Sequence, residues 1–420
     1  MPTFSLPEVS LRPAQADDLN QIITLDRLAF APLTSETEIQ QEWYSEGLEL
    51  PGRQLFLAIE SATGAGIGTY AQLQLAIHFQ QQVFPAMGIA AVAVALQKRG
   101  QKIARLMLEH ALETARSQQL PIVMLYPFQH GFYRRLGWAW VESVHQYRVA
   151  ARHLPLYPER SGIMPYNSSR HSLSAVYESV AAQQNGWLHR QTWQWQQRLK
   201  PSNGREIYVY QDSNQLQGYV ILQFTRLGAA SSPLAIVVQE WVAATAAAYR
   251  GILGFLASLR DQVSTIVWNT FPSDPFPHLL QEQRCDPSFT APAFEFGLVH
   301  AFGQLGGGFM WRLVDLAAAF ERRSLQPSDP FALTFEISDP VFGDQQITAE
   351  FSDRQMHLRQ SPTSTVLKTS IEHLTELFCG WRRSQDLLWT GELELTGDET
   401  LLPQLDQAWQ AAAPFCWDFF

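Results

Sequence analysis

A basic, glycine-containing corner between an apolar run and a helix-like pattern carries the clearest chemistry in this sequence. Residues 91–96 are small, β-branched or apolar, Arg99-Gly100-Gln101 follow closely, and Ile103, Leu106 and Met107 then recur at helical spacing. The N–H groups of a first helical turn have no partner within the helix, and the helix dipole places partial positive charge there. We therefore expect this strand–turn–helix to bind a phosphate group at its corner.

Two further segments are rich in aromatic residues. Residues 131–138, G-F-Y-R-R-L-G-W, read as a short helix closed by a glycine, and Tyr133 within it carries a phenol. The last six residues, 415–420, include four aromatic side chains. Loose termini are commonly polar, so we expect this chain end to be packed against the protein.

The first 150 residues alternate strands and helices around the basic corner. We predict strands at 54–60, 67–77, 88–96, 122–125 and 138–149, and helices at 16–30, 101–118 and 131–137. The strands on either side of helix 101–118 form a right-handed βαβ unit, so the sheet mixes parallel and antiparallel pairs. Asp26 falls on the first helix, where we expect a surface charge or, alternatively, a contact with a cationic substrate.

Two motifs in this region resemble the GNAT superfamily of N-acetyltransferases. The order strand, Arg99-Gly100-Gln101, helix resembles its acyl-CoA pyrophosphate site, and F-Y-R-R-L-G-W is similar to its F-Y-x-x-x-G-F element. One position departs from the family pattern Q/R-x-x-G-x-G/A, because Lys102 stands at the first glycine. We expect helical φ/ψ at Lys102, a conformation that suits lysine. Because the glycine is missing, we expect CoA binding to be weaker or reshaped, but not lost.

Residues 151–302 repeat the strand–helix–strand order. We predict helices at 172–182, 187–199 and 243–263, and strands at 207–211, 218–224, 235–242 and 265–269. The corner at 240–245 has no arginine or glycine, and it carries Glu240 where a phosphate would sit. This indicates a degenerate GNAT-like copy that no longer binds CoA; an ordinary α/β domain without common origin is the alternative.

A glycine-rich joint at 303–308 precedes predicted strands at 332–337, 346–351 and 355–359 and a helix at 370–380. Residues 176–195, 310–320 and 413–416 resemble segments of the Eis (enhanced intracellular survival) family. That resemblance implies a mixed α+β fold of three domains. Residues 1–150 would form the catalytic GNAT domain that binds acetyl-CoA, and residues 151–302 a degenerate GNAT-like domain. Residues 303–420 would form a sterol-carrier-like domain that supplies the terminal carboxylate.

The same resemblance assigns roles to individual residues. Tyr133 would protonate the leaving thiolate, with Tyr126 as the second candidate, and the terminal carboxylate of Phe420 would be the base, with Asp418 as its rival. A backbone N–H near Val94 would stabilise the developing oxyanion. The residues implied to contact acetyl-CoA, the co-substrate, are Val92, Ala93, Val94, Arg99, Gly100, Gln101, Lys102, Ile103, Ala104, Arg105, Phe128 and Gln129.

The amino-acid composition indicates which classes of binding partner and which cellular compartment to expect. The net charge of −10 argues against nucleic acid; it either keeps the protein soluble or concentrates cationic substrates. The widely spaced Cys285, Cys379 and Cys416 predict a reducing compartment, with no disulfide framework and no metal site. We find no apolar run long enough for a membrane helix and no secretory signal, so we expect a cytoplasmic protein without a membrane partner.

We therefore predict an acetyl-CoA-dependent N-acetyltransferase. The resemblance implies that it acts by direct attack on primary amines of polycationic small molecules, aminoglycoside- or polyamine-like, and that it forms a homo-oligomer, a trimer or hexamer. A non-catalytic acyl-CoA-binding or sensing protein is the alternative, and Lys102 is the feature that favours it. Apolar-ligand binding by the third domain is a further alternative.

Overall fold

The structure, a computed structural model, describes residues 9–283 and 303–420. Cys285 and the first eight residues, on which the expectation of no secretory signal rested, lie outside this range. The chain divides into two compact units. The first contains Met1–Val141, Phe309–Ala413 and Phe419–Phe420, and the second contains Glu142–Gly308 and Pro414–Asp418.

The amino-terminal part of the first unit is a seven-stranded mixed sheet with helices on its faces. The strands are β1 (Val9–Pro13), β2 (Arg53–Glu60), β3 (Gly66–Phe79), β4 (Gln82–Val94), β5 (Ile122–Leu125), β6 (Ala139–Trp140) and, from later in the chain, β14 (Met310–Leu313). The helices are α1 (Leu19–Phe30), α2 (Glu36–Trp43), α3 (Ile103–Ser117) and α4 (His130–Arg134). The sheet order is β1-β2-β3-β4-β5-β14-β6, and β4 and β5 are its parallel pair.

Strand β4 separates from β5 halfway along its length. The parallel pairing runs from Ala86 to Ile89 and stops there, while β4 continues to Val94. On the other side of β4 the register with β3 shifts, so that Ala91 and Val92 together face a single residue, and Ala91 adopts a positive φ of 49°. Such a bulge bends the strand and ends regular pairing. The last residues of β4 therefore have no pairing toward β5.

Helix α3 forms because its apolar residues recur on one face. Ile103, Met107, Leu108, Ala111 and Leu112 are all buried, and they pack against the same side of the sheet as Met87 and Ile89. The predicted helix at 101–118 is thus confirmed to within two residues at its start. The N-terminus of α3 directly follows the basic corner at Arg99-Gly100-Gln101.

The carboxy-terminal part of the first unit is a five-stranded sheet with helices around an aromatic core. The order β17-β16-β15-β18-β19 combines one parallel pair, β15 with β18, and antiparallel neighbours. Its strands are β15 (Phe331–Ser338), β16 (Gln345–Ser352), β17 (Gln355–Arg359), β18 (Val366–Ser370) and β19 (Leu393–Thr396). Its helices are α9 (Leu316–Arg322), α10 (Ile371–Phe378), α11 (Ser384–Trp389) and α12 (Leu401–Ala408).

The second unit is another seven-stranded mixed sheet, in the order β13-β7-β12-β11-β10-β9-β8. Its strands are β7 (Ser143–Ala150), β8 (Ile163–Pro165), β9 (Arg205–Asp212), β10 (Gln215–Arg226), β11 (Leu234–Ala243), β12 (Val263–Thr270) and β13 (Gly303–Gly307). Its helices are α5 (Leu173–Ala181), α6 (Thr192–Arg198), α7 (Ala246–Ser258) and α8 (Phe276–Leu279). Strands β11 and β12 are parallel and are joined through α7, as predicted.

Two sequence expectations in these sheets need correction. The single strand predicted at 138–149 is two strands, β6 in the first sheet and β7 in the second. Between them Glu142 is buried and accepts a hydrogen bond from the N–H of Cys416 at 2.8 Å, a tertiary contact that local alternation does not encode. Glu240, expected in the corner before α7, lies instead inside β11. Across residues 9–283 and 303–420, no helix is long and apolar enough to cross a membrane.

Candidate active site

A groove of about 760 Å³ lies where β4, the start of α3 and the loop around α4 meet. Most of the residues expected to contact acetyl-CoA line it: Val92, Val94, Arg99, Gly100, Lys102, Ile103, Ala104, Arg105 and Phe128. Three others do not. Ala93 is buried against β3, Gln101 is partly buried beside the corner, and Gln129 is exposed at the N-cap of α4.

The wall of the groove near α3 is built to hold an anion. Lys98 and Arg105 there are paired with Glu60 and Glu109. Within the described part of the chain, Arg99, Lys102 and Arg135 have no carboxylate partner. Among the described residues, no side chain caps the first turn of α3, which leaves its N–H groups available to a ligand. Unpaired cations beside an uncapped helix N-terminus form a site for phosphate groups.

Lys102 does not have the backbone conformation that the sequence analysis expected. It is left-handed, with φ 63° and ψ 11°, so the expectation of helical φ/ψ was wrong. A side chain in this conformation costs roughly 1–2 kcal/mol, a penalty that glycine avoids. The glycine of the family pattern is therefore explained by backbone geometry. In this chain the same left-handed backbone is kept although lysine stands at the glycine position, and the Lys102 side chain is exposed.

The wall formed by β4 offers backbone groups as well as apolar surface. Val92 and Val94 line the groove, beyond the point at which pairing with β5 ends. An unpaired strand edge presents N–H and C=O groups that an extended ligand can use as a partner strand. Ala93, between them, pairs with Thr69 and is buried, so it supports the strand from the other side.

Tyr133 lies on α4, next to the groove. Its ring packs against Phe132, Phe128 and Trp138, with ring centroids 5.1, 5.6 and 6.2 Å away. Phe128 and Phe132 line the groove, whereas Tyr133 itself is not among the lining residues. Its hydroxyl has no hydrogen-bond partner among residues 9–283 and 303–420. Burial raises the pKa of Tyr133 above its ordinary value, so the phenol stays protonated at neutral pH.

Phe420, the last residue, packs against the first sheet, as the aromatic chain end predicted, whereas the side chain of Phe419 is 76% exposed. The ring of Phe420 lies 4.6 Å from that of Phe309, and a Cβ atom added to Gly88 would lie 2.9 Å from its Cε2 atom. Gly88 is next to Ile89, the last β4 residue that pairs with β5. Tyr126, the alternative acid, contacts the same end through the rings of Phe309 and Phe419, at 5.6 and 4.9 Å.

Asp418, the rival base, has a different environment. Both of its carboxylate oxygens accept hydrogen bonds from Nε of Arg190 at 3.0 Å, and it belongs to the second unit. Of the two candidate bases, Asp418 pairs with Arg190, and Phe420 is the one that packs beside β4.

Asp26 is buried, so the expectation of a surface charge on α1 was wrong. Its Oδ2 atom accepts a hydrogen bond from the hydroxyl of Tyr44, and its Oδ1 atom has no partner within the described residues. Burial raises the pKa of Asp26 to about 7, against the opposing effects of Tyr44 and Arg53. Its position one helical turn after Ile22, on the buried face of α1, was the available sequence signal.

Arg312 is a supporting residue that sequence reasoning missed. It is fully buried on β14, where its Nε donates to the carbonyl of Leu136 at 2.8 Å. Its guanidinium also pairs with Asp339 at 2.6 Å. The N–H of Leu136 in turn bonds to the carbonyl of Tyr133. Arg312 therefore fixes the end of α4, through a contact that spans 176 residues of sequence.

Comparisons with known proteins agree with this geometry. Residues 10–141 and 186–313 each match an acetyltransferase (GNAT) domain, and residues 316–417 match a sterol carrier protein domain. The middle region is therefore a second GNAT domain, and the alternative of an unrelated α/β domain was wrong. The N-acetyltransferase Eis of Mycobacterium bovis is 23% identical over 365 residues, which cover 83% of this chain and 84% of that protein.

Solved structures share the fold along the whole chain. A GCN5-related N-acetyltransferase from Anabaena variabilis has a TM-score of 0.84 at 21% identity and covers 98% of this chain and 100% of its own. Eis1 from Mycobacterium abscessus has a TM-score of 0.75 at 20% identity, with coverage of 98% and 100%. The mixed fold and the family resemblance are confirmed: this chain is a GNAT-type acyltransferase and a distant homologue of the Eis N-acetyltransferases.

Proposed function

We propose that this protein transfers the acetyl group of acetyl-CoA to primary amines of polycationic small molecules, and that the groove beside α3 is where it does so. The observation that carries the proposal is a combination of three features in one groove. As far as the described residues go, it holds cations without a carboxylate partner, a helix N-terminus without a side-chain cap, and a strand edge without a partner strand. These three features match the phosphates and the amide-containing arm of CoA. They support acyl-CoA as the ligand over a purely apolar one.

Each part of the groove has a proposed role in holding acetyl-CoA. Arg99, Lys102 and the first N–H groups of α3 would hold the pyrophosphate, and Val92 and Val94 would pair through their backbone with the pantetheine arm. Phe128 would contact the cofactor through its exposed ring. When bound, acetyl-CoA supplies an acetyl group activated as a thioester.

The attacking amine must first lose a proton. An alkyl ammonium has a pKa of about 10.4, so it needs a base close to the acetyl group. We propose the terminal carboxylate of Phe420 for this role, acting directly or through one water. The packing of its ring beside Gly88 supports the proposal, because it holds the chain end against β4 close to where β4 and β5 separate. Desolvation of a carboxylate strengthens it as a base.

The departing thiolate must gain a proton, and we propose Tyr133 as its source. A phenol is protonated near neutral pH, and burial raises the pKa of Tyr133 further above its ordinary value, so the proton is present. A thiol has a pKa of about 8.5 in water, and a thiolate formed in an apolar groove is a stronger base. The hydroxyl of Tyr133 makes no hydrogen bond within the described residues, so it is available to donate to the sulfur. Tyr126 is the alternative donor.

The proposed class of amine acceptor rests on the family resemblance and on the net charge of the protein. The proposed domains, location and oligomeric state rest on the family resemblance and the composition. A net charge of −10 attracts polycations, which favours aminoglycoside- or polyamine-like amines. We also propose a division into three domains, a cytoplasmic location and a homo-oligomer, a trimer or hexamer.

A thiol-release screen tests the proposed function. Purified protein is incubated with acetyl-CoA and with aminoglycosides, polyamines or lysine peptides, and free CoA thiol is measured. We expect release with at least one aminoglycoside or polyamine, together with an acetylated product of the correct mass. Release only with lysine peptides would contradict the acceptor class. Acetyl-CoA binding by calorimetry without release across the whole panel would identify the protein as a non-catalytic acyl-CoA binder.

A further inference from the structure

The second unit holds the C-terminal segment of the chain, residues 414–418, through backbone hydrogen bonds. The N–H of Phe415 donates to the carbonyl of Asn185 at 2.9 Å, and the N–H of Cys416 donates to Oε1 of Glu142 at 2.8 Å. Gly186 allows this approach, because a Cβ there would lie 2.9 Å from both N and O of Phe415. The segment is therefore seated in a site that is shaped for its backbone.

A buried charge cluster completes the seat. Arg190 donates from Nε to Asp418 at 3.0 Å and from its two other nitrogens to Glu240 at 3.0 and 2.6 Å. Glu240 also pairs with Arg198 at 2.7 Å, and the side chains of Arg190 and Glu240 are fully buried. Without Asp418, the two arginines would face one carboxylate, which leaves an excess positive charge beside the buried Arg190 and Glu240. Asp418 supplies the missing negative charge, so the cluster is neutral only when the segment is in place.

Aromatic side chains form the rest of the seat. Trp417 packs against Trp187 and Trp241, with ring centroids 5.9 and 6.0 Å away. Phe415 packs against Phe271 at 5.6 Å. Trp241 lies on β11 and Phe271 directly follows β12, so the segment covers the carboxyl ends of both parallel strands.

This position corresponds to the groove of the first sheet. As in β4 and β5, the central strand β11 carries a one-residue bulge, at Gln239, and its pairing with β12 ends at Val238. The anion-binding features are absent, however, because Thr245 caps α7 with its own side chain. Among the described residues, the second GNAT domain therefore presents an aromatic and acidic site at the place where the first presents a phosphate site.

We propose that the second GNAT domain is a receptor for the protein's own C-terminal segment, and that Arg190 is a positioning residue for the terminal carboxylate. Asp418 is two residues from the chain end, and two extended residues span at most about 7 Å. Fixing Asp418 therefore restricts where the carboxylate of Phe420 can move. The catalytic consequence rests on the proposed function, whereas the binding of the segment does not.

Asp418→Asn tests the proposal in the full-length protein. It keeps the size of the side chain and removes its charge, and Asp353→Asn, on an exposed turn, is the matched control. We expect faster hydrogen exchange at the amides of residues 415–418 in Asp418→Asn only. We also expect kcat to fall about tenfold while KM for acetyl-CoA is unchanged, with partial recovery in Asp418→Glu.

The two readouts separate the proposal from the proposed function. Unchanged exchange at residues 415–418 overturns the receptor, whatever the activity does. Faster exchange with unchanged kcat overturns the positioning role. If no amine is acetylated by the wild type, the proposed function fails while the exchange result still decides the receptor. Should Asp418→Asn not fold, Trp417→Phe, which trims the contact with Trp241, is measured in the same way and with the same expectations.

Discussion

Gly88 and Phe420 are in close contact, although 332 positions separate them in the sequence. A Cβ atom on residue 88 would lie 2.9 Å from Cε2 of Phe420 and 2.7 Å from Cδ1 of Leu75. Atoms essentially never approach a real Cβ so closely. The backbone of Gly88 does not itself require glycine, because its φ is not in the left-handed region. The glycine is therefore needed for space, and the terminal ring uses that space.

Gly88→Ala is expected to displace the terminal residue and slow the reaction. The added methyl group collides with the Phe420 ring, so the carboxylate loses its position, and kcat should fall about tenfold or more with acetyl-CoA affinity unchanged. Steady-state kinetics and calorimetry measure the two effects. Gly306→Ala is the matched control, because a Cβ atom added to that strand glycine would have no described neighbour closer than 3.9 Å. Equal kcat in the wild type and Gly88→Ala would reject the docked terminus as part of the site.

Extension of the chain beyond Phe420 tests the carboxylate itself. A Gly-Ser addition converts the terminal carboxylate into a neutral amide and moves the new charge away, so the proposed base is lost. We expect turnover to fall at least about tenfold at pH 7 and to recover partly at high pH, where more of the amine is already deprotonated. The same addition ahead of Met1 controls for the extra residues. A C-terminally extended protein with full activity would exclude this role.

Tyr133→Phe removes the proposed acid and keeps its ring. The contacts with Phe132, Phe128 and Trp138 are aromatic, so the fold of α4 is preserved. Loss of a general acid typically costs about a hundredfold in rate, and we expect a fall in kcat of that order with acetyl-CoA binding retained. Tyr126→Phe, measured in parallel, compares the two candidate donors. A larger loss at Tyr126 would transfer the role to that residue.

Local patterns predicted the parts of the site that lie close together in sequence. The corner at Arg99, the helix that follows it and the short helix around Tyr133 are each formed by neighbouring residues, so their spacing was sufficient. The docking of the aromatic chain end was also predicted from composition. The left-handed backbone of Lys102 was not, because a lysine followed by helical periodicity gives no sign of φ 63°.

The remaining features depend on contacts between distant residues. Neither Arg312 bonding to the carbonyl of Leu136 nor Arg190 joining Asp418 to Glu240 leaves a periodic trace in the sequence. The same is true of the break between β6 and β7, where Glu142 meets Cys416. An ordinary alternating pattern at 138–149 is compatible with one strand or with two, and only the tertiary partners decide between them.

Asp26 is expected to make the protein less stable as the pH rises. Its pKa in the folded protein is raised from 3.8 to about 7, so the folded state binds the extra proton between these values, and stability falls through that range. At about 1.36 kcal/mol per pKa unit, the loss is at most about 4 kcal/mol by pH 8. Asp26→Asn still accepts from Tyr44 and does not ionise.

Urea unfolding at pH 5 and pH 8 measures this effect. The difference in free energy of unfolding between Asp26→Asn and the wild type should move in favour of the variant as the pH rises. Asp17→Asn, which changes an exposed aspartate two residues before α1, should show no such trend. A difference that stays constant between the two pH values would show that Asp26 is already ionised in the folded protein at pH 5.

Substitutions at Lys102 separate its backbone from its charge. Lys102→Gly relieves the left-handed strain of roughly 1–2 kcal/mol, and the greater freedom of glycine in the unfolded chain returns about 0.5–1 kcal/mol of that. We therefore expect a gain in stability of at most about 1.5 kcal/mol. Lys102→Ala keeps the strain and removes the ammonium group, so it should leave stability nearly unchanged.

If the ammonium contacts the pyrophosphate, both variants should bind acetyl-CoA less tightly than the wild type, and the difference should shrink with added salt. Calorimetry at two salt concentrations measures this, and tighter binding by Lys102→Gly would show instead that the lysine side chain obstructs the groove.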